Sequence, residues 1–179
     1  MAAGEVVAVH SSDKHQFSKQ NRDEIEVIAG VGVAGDAHAG IKVQHLSRVK
    51  ADPNQPNLRQ VHLIHSELFE ELAAEGFTVL PGQLGENITT SGIDLLSLGR
   101  DDRLHIGDAV LRVTGLRNPC DQIEAFQPGL LRHLAYRDGG ELVRKAGIMT
   151  VAEIGGPVRA GDPIEVTLAP APRIKLDRV

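Results

Sequence analysis

Gly30-Val31-Gly32-Val33-Ala34-Gly35-Asp36-Ala37-His38-Ala39-Gly40 is the stretch on which the fold turns. It opens with the pattern G-x-G-x-x-G, comes after the strand-like run 25–28, and has Asp52 about twenty residues beyond, the spacing of a dinucleotide-binding fingerprint. That reading demands a helix opening at the glycines, so that its N-terminus faces a pyrophosphate. The chain instead continues as Asp36-Ala37-His38-Ala39-Gly40, with no amphipathic pattern behind it, and Asp52 sits beside Pro53 in loop-like sequence. The segment therefore reads as a tight glycine-rich turn, and a doubly wound α/β fold is rejected. Such a turn can still aim backbone N–H groups at an anion, so Gly35, Asp36 and His38 remain candidates for binding a ligand.

Outward from this turn, 19 glycines and 9 prolines punctuate short β-branched runs. The runs 5–9, 26–28, 60–64, 86–90, 103–106, 109–114, 149–154 and 163–168 read as strands. Most alternate or are half apolar, which suits a folded-over antiparallel or mixed sheet better than a fully buried parallel one. Gly107-Asp108 and Gly161-Asp162 each read as the corner of a hairpin, since glycine accepts positive φ and aspartate bonds the turning backbone. One helix is expected over 67–75, capped by Ser66 and closed by Gly76, with Leu68, Phe69 and Leu72 on one face. A second is expected over 128–137, where Leu130, Leu131 and Leu134 face a core. The stretch 44–58, with Pro53 and Pro56, has loop character. The expected fold is thus mainly β with a few helices (α+β): a barrel-like sheet with short covering helices, one domain over 1–168 and a C-terminal tail, 169–179, that is partly flexible.

A length of 179 residues fits a single domain. Apolar residues at 41% and charged residues at 24% are ordinary for a soluble globular chain, and no apolar run approaches the roughly 20 residues of a membrane span. The start, Met1-Ala2-Ala3-Gly4-Glu5, lacks a basic segment leading into an apolar stretch, so a cytoplasmic location without membrane partners is expected. A formal net charge of -5, one Tyr and no Trp leave little for nucleic acid to bind.

Cys120 is the only cysteine, in the segment Gly115-Leu116-Arg117-Asn118-Pro119-Cys120-Asp121-Gln122. It can make no internal disulfide, and Pro119 and Asp121 are poor company for an inert core thiol. A nucleophile or soft metal ligand is the better reading. Of the eight histidines, none falls in His-Glu-x-x-His or beside Cys-x-x-Cys, which argues against zinc. Asp36 and His38 would share one side of an extended segment, whereas His62 and His65 on a strand would face opposite ways. The cluster Pro81-Gly82-Gln83-Leu84-Gly85-Glu86-Asn87 joins an irregular backbone to the polar side chains of Gln83, Glu86 and Asn87.

Gly35-Asp36-Ala37-His38-Ala39-Gly40, Pro81-Gly82-Gln83-Leu84-Gly85-Glu86-Asn87, Leu104-His105-Ile106-Gly107-Asp108 and Arg117-Asn118-Pro119-Cys120 occur in the order and approximate spacing of the MOSC domain, the family named for the C-terminal domain of molybdenum cofactor sulfurases. The resemblance spans nearly the whole chain. It implies a strand-rich, barrel-like fold whose motif loops gather around a pocket, with Cys120 presented to sulfur or molybdenum. With the cysteine placed by the resemblance, position near the motifs and side-chain chemistry lead to the expectation that Gly35, Asp36, His38, Arg48, Gln83, Gly85, Glu86, Asn87, Arg117 and Asn118 bind the molybdenum cofactor (molybdopterin). A thiolate suits dithiolene-bound molybdenum and can also hold a persulfide sulfur, while Arg117 is placed to lower the thiol pKa and grip a phosphate. Larger members carry a pyridoxal-phosphate desulfurase domain or an iron–sulfur domain, and 179 residues with one cysteine accommodate neither. Pyridoxal phosphate would act only through a partner, and no iron–sulfur cluster belongs to this chain. The implied partners are a cysteine desulfurase, a reductase or a molybdoenzyme, with a homodimer also open. Two other functions stand beside this one: a cysteine-nucleophile enzyme with His38 or His65 as base, and a non-catalytic binding module.

Overall fold

The computed structural model describes residues 3–179. Seven strands close into a barrel: β1 (Ala3–Ser11), β2 (Val61–His65), β3 (Ile88–Ser91), β4 (Arg103–Ile106), β5 (Ala109–Leu116), β6 (Ile148–Ile154) and β7 (Pro163–Thr167). Around the barrel they run β7-β4-β5-β6-β2-β3-β1, and β1 pairs back onto β7 to complete the ring. Every neighbouring pair is antiparallel except β2 and β3, which are parallel. Gly107, at φ 57°, turns β4 into β5 through the two-residue corner read from the sequence, with Ile106 opposite Ala109. The other anticipated corner is no hairpin. Gly161 does turn the chain, but the strand before it, Gly156–Arg159, pairs with Glu24–Ile28 in a separate small sheet, and only the strand after it joins the barrel.

The inward positions of these strands supply one apolar cluster, with Val61, Leu63, Leu104, Ile106, Leu111 and Val113 all at 0% exposure. A second cluster lies outside the barrel, under the helices α2 (Glu67–Ala74), α3 (Asp121–Phe126) and α4 (Leu131–Leu134). Leu68, Phe69 and Leu72 of α2 pack there, as their spacing requires. The helix closes at Gly76, where the amide of Phe77 donates to the Leu72 carbonyl and that of Gly76 to the Ala73 carbonyl. Ser66, by contrast, makes no side-chain cap, because it already has helical φ and ψ.

The helix expected over 128–137 is reduced to α4. Gly129, at φ 89°, interrupts it on one side, and Gly139-Gly140, both at positive φ, fold Ala135–Asp138 against Glu141–Arg144 as a hairpin on the other. The loop 44–58 contains a short helix, α1 (Leu46–Ala51), none of whose residues is buried. The tail, expected to be partly flexible, docks. Ile174–Lys175 pairs with Gly99–Arg100, Leu176 is buried, and the fully buried Asp102 carboxylate accepts from the Ala169 amide and from Arg173. Among the described residues no helix is long and apolar enough to cross a membrane.

Candidate functional site

One cleft of about 400 Å³ gathers residues from stretches of chain that lie far apart in sequence. The barrel contributes His62 from β2. The crossover from β2 to β3 contributes Leu84, Gly85 and Asn87, and the run leaving β5 contributes Arg117, Asn118 and Cys120. The turn after Gly35 adds His38, and the stretch around α1 adds His45 and Arg48. The segment 15–19 closes the remaining side with His15, Phe17 and Lys19. The three motif segments that the sequence separates by dozens of residues thus share one pocket.

The crossover turn is held from behind. Glu86 is fully buried, and one of its carboxylate oxygens accepts from the Gly82 amide and, at 3.0 Å, from the Thr89 hydroxyl. Burial holds its pKa above the usual carboxylate range. Gly82 and Gly85 both take positive φ, and a Cβ on either would strike backbone oxygen, of Lys19 and Phe17 respectively. Leu84, at 0% exposure, roots the turn in the second apolar cluster. The same turn fixes Arg117, whose Nη1 donates to the Leu84 carbonyl at 2.5 Å and whose guanidinium lies over the Phe17 ring, 5.7 Å from its centroid. Burial lowers the Arg117 pKa, opposed chiefly by Cys120 beside it. Asn87 bonds the backbone of two strands, donating to the His10 carbonyl at 3.2 Å and accepting from the His62 amide at 3.1 Å.

Cys120 is half-buried and stands at the start of α3, whose single buried residue, Ile123, anchors the helix in the second apolar cluster. The thiol thus opens onto the cleft from a fixed support. Four cationic side chains, Lys19, Arg48, Arg59 and Arg117, face the same space, and among the described residues no aspartate or glutamate does. Arg59 shows the crowding of positive charge: burial, then Arg48 and Arg117, bring its pKa down to about 10. The cleft is electropositive although the chain carries a net charge of -5, and such a field attracts anions. Neutral imidazoles surround it. Burial lowers the pKa of His38 to about 4 and that of His45 to about 2, and their rings stack with centroids 4.3 Å apart.

Not every residue expected at the site reaches it. Asp36 points away from the cleft, because the turn is tight rather than extended: its carboxylate accepts from the amides of Ser12 and His38 and pairs with Lys19 at 2.7 Å. Gly35 lies on the exposed outside of that turn. The amides of Asp36, Ala37, Ala39 and Gly40 are all spent on protein carbonyls, so the turn offers no row of free N–H groups to an anion. Gln83 spends its side-chain oxygen on the Leu80 amide at 2.9 Å. Glu86 props the turn from behind, and His65 lies outside the cleft wall. Sequence reasoning missed Lys19, Arg59, His45 and His62 as cleft residues. Only His62 carried a signal, the strand alternation that separates it from His65.

A closed barrel of seven strands thus carries one cleft lined by a thiol and cationic side chains. The model of the MOSC domain matches residues 37–165, well over half of the chain, and the protein belongs to that family. No curated protein matches it. Among solved structures, the YuaD protein from Bacillus subtilis is similar over 94% of this chain and 97% of its own, with 26% identity and a TM-score of 0.76. YiiM from Geobacillus stearothermophilus, at 15% identity, matches over 97% of this chain and 80% of its own with a TM-score of 0.67. YiiM from Escherichia coli, at 19% identity, matches over 95% and 73% with a TM-score of 0.61.

Proposed function

We propose that the chain binds the molybdenum cofactor in this cleft and uses Cys120 either as a ligand to its metal or as the carrier of a persulfide sulfur. The observation that carries the reading is the composition of the cleft wall: four cations and one thiol, with no carboxylate among the described residues. The MOSC family is associated with binding this cofactor, and the donor set fits it. Arg48, Arg59 and Arg117 suit a phosphate, the amide of Asn118 suits the edge of a pterin, and Cys120 is a soft sulfur donor.

When bound, the cofactor supplies a metal able to take up and return an electron pair. The chain itself contributes charge, orientation and a thiol. Two outcomes of that arrangement are proposed. In the first, an N-hydroxylated compound is reduced to the amine and water, which consumes two electrons and two protons, the electrons coming from a partner reductase. In the second, Cys120 accepts sulfane sulfur from a pyridoxal-phosphate-dependent cysteine desulfurase and passes it to the cofactor or to a molybdoenzyme. The half-exposed thiol at the cleft edge favours this second use, since a desulfurase has to reach it.

The test is expression in a cofactor-producing host, then metal analysis, and mass spectrometry after incubation with a desulfurase and cysteine. Cys120→Ser removes one soft ligand and almost no volume. If the thiol is a metal ligand, the serine variant, folded, loses its molybdenum. If it is a sulfur carrier, the wild type gains one sulfur and the variant none. Equal molybdenum and equal persulfide in both proteins would overturn the proposal.

A further inference from the structure

Two residues of the cleft wall, Lys19 and His38, form a chain with Asp36 behind them that the proposed function leaves unused. The Lys19 ammonium belongs to a residue only 8% exposed and makes three close contacts: with both oxygens of Asp36, at 2.8 and 2.7 Å, and with Nδ1 of His38, at 3.3 Å. The Asp36 side chain is fully enclosed and also accepts from the amides of Ser12, at 3.0 Å, and His38, at 3.1 Å. A carboxylate surrounded by that many donors is ionised, and the ammonium it faces is charged. An ammonium has three protons and no lone pair to offer. With two protons directed at Asp36, the third points at the imidazole nitrogen, which must accept it.

We propose that Asp36 and Lys19 are positioning residues that lock His38 as the neutral Nε2–H tautomer, so that the ring offers the cleft a hydrogen-bond donor and never a base. Nε2 makes no bond within the described protein, while the ring itself lines the cleft. The second nitrogen is therefore free for a bound molecule, and what it presents is a proton. This matches the rest of the wall, where Arg48, Arg59 and Arg117 also have only donors to give. A ligand atom opposite His38 must be an acceptor, a phosphate, carbonyl or ring-nitrogen lone pair. A thiol needing a base gets none from this ring, which removes His38 as partner of a nucleophilic Cys120. That the acceptor belongs to the molybdenum cofactor rests on the proposed function, but the tautomer itself is a property of the cofactor-free protein and is tested there.

The charged and titratable groups facing the ring are Lys19, Asp36, His15, His45 and Arg117. Burial first, then the Lys19 charge, keep it unprotonated down to about pH 4, with Asp36 opposing. Removing Lys19 should both free Nδ1 and leave Asp36, whose Oδ2 is 3.8 Å from Nδ1, as an unopposed anion.

The experiment is two-bond nitrogen–proton correlation NMR on uniformly labelled cofactor-free protein, titrated over pH, with the His38 ring signals identified by their loss in His38→Gln. In the wild type the ring should show protonated Nε2 and bare Nδ1 throughout the neutral range. In Lys19→Met the midpoint should rise to or above the ordinary imidazole value of about 6.5. Because an unpaired buried Asp36 threatens folding, Lys19→Met/Asp36→Asn is run beside it, and there the ring should become a mixture of tautomers with a smaller rise. A wild-type ring protonated at Nδ1, or tautomer and midpoint unchanged in both variants, overturns the proposal whether or not the protein binds molybdenum.

Discussion

The cleft has two walls of opposite construction. On one side, the turn 82–87 and the start of α3 are rooted in the second apolar cluster by Leu84 and Ile123, both at 0% exposure, and braced by the buried Glu86 carboxylate. On the other side, α1 buries nothing, and apolar side chains ahead of it and at its first position stand in solvent, Ile41 at 73% exposure and Leu46 at 66%. The first wall carries Arg117 and Cys120. The second carries Arg48 and His45. Buried anchoring in this molecule is thus concentrated on the wall that carries the thiol and the enclosed guanidinium.

That contrast is most easily broken at Ile123. Ile123→Ala leaves a cavity beneath α3 and should cost about 2–4 kcal/mol in denaturant unfolding, together with the placement of Cys120. A loss under about 1 kcal/mol would show that α3 does not depend on its one anchor.

A second test uses acid on the braced side. His10 is fully buried behind the turn, and burial brings its pKa down to about 4. The unfolded chain protonates this ring near pH 6.5 while the folded one does not, so the folded state binds fewer protons between those values. The stabilising contribution is complete above about pH 6.5 and is lost as pH falls toward 4, with a slope of up to about 1.4 kcal/mol per pH unit for each such histidine. His10→Phe, which fills the site without titrating, should flatten that slope in unfolding curves taken at about pH 4 to 7. An equally steep variant would place the acid sensitivity elsewhere.

The smallest expected effect belongs to the open wall. Arg48→Ala should change unfolding stability by no more than about 0.5 kcal/mol, because α1 buries nothing that the truncation could disturb. It should nonetheless weaken binding of inorganic phosphate by about tenfold in calorimetry, the effect of one lost charge-assisted hydrogen bond. A stability loss comparable to that of Ile123→Ala would erase the distinction between the walls.

Much of this arrangement was legible in the sequence. The corner at Gly107-Asp108, most of the barrel strands and the rejection of a dinucleotide turn all come from local chemistry, because glycine conformation and strand alternation are decided within a few residues. The gathering of His38, Asn87, Arg117 and Cys120 came from motif order. Lys19 did not come at all, since nothing around it in sequence explains its burial. Its reason is Asp36, 17 residues away and brought back by the turn. The short α3 escaped for a different cause: with one buried residue it has no periodicity to detect. The overlong second helix is the reverse error. Leu130, Leu131 and Leu134 are periodic, but the Gly139-Gly140 pair, a strong hairpin signal, outweighs them and pulls 135–138 into a strand.

The barrel's strand count has a consequence of its own. A ring of strands that simply alternate up and down can close only on an even number. Seven is odd, so somewhere two neighbours must point the same way, and here they are β2 and β3. Neighbours that point the same way cannot be joined by a tight turn, because the chain must travel back the full height of the barrel before starting again. Residues 66–87 make that return journey, and they contain α2 and the turn that places Leu84, Gly85 and Asn87 at the cleft. The odd count requires one parallel pair, and because its members here follow one another in the chain, the connection between them passes over the outer surface and builds one wall of the cleft.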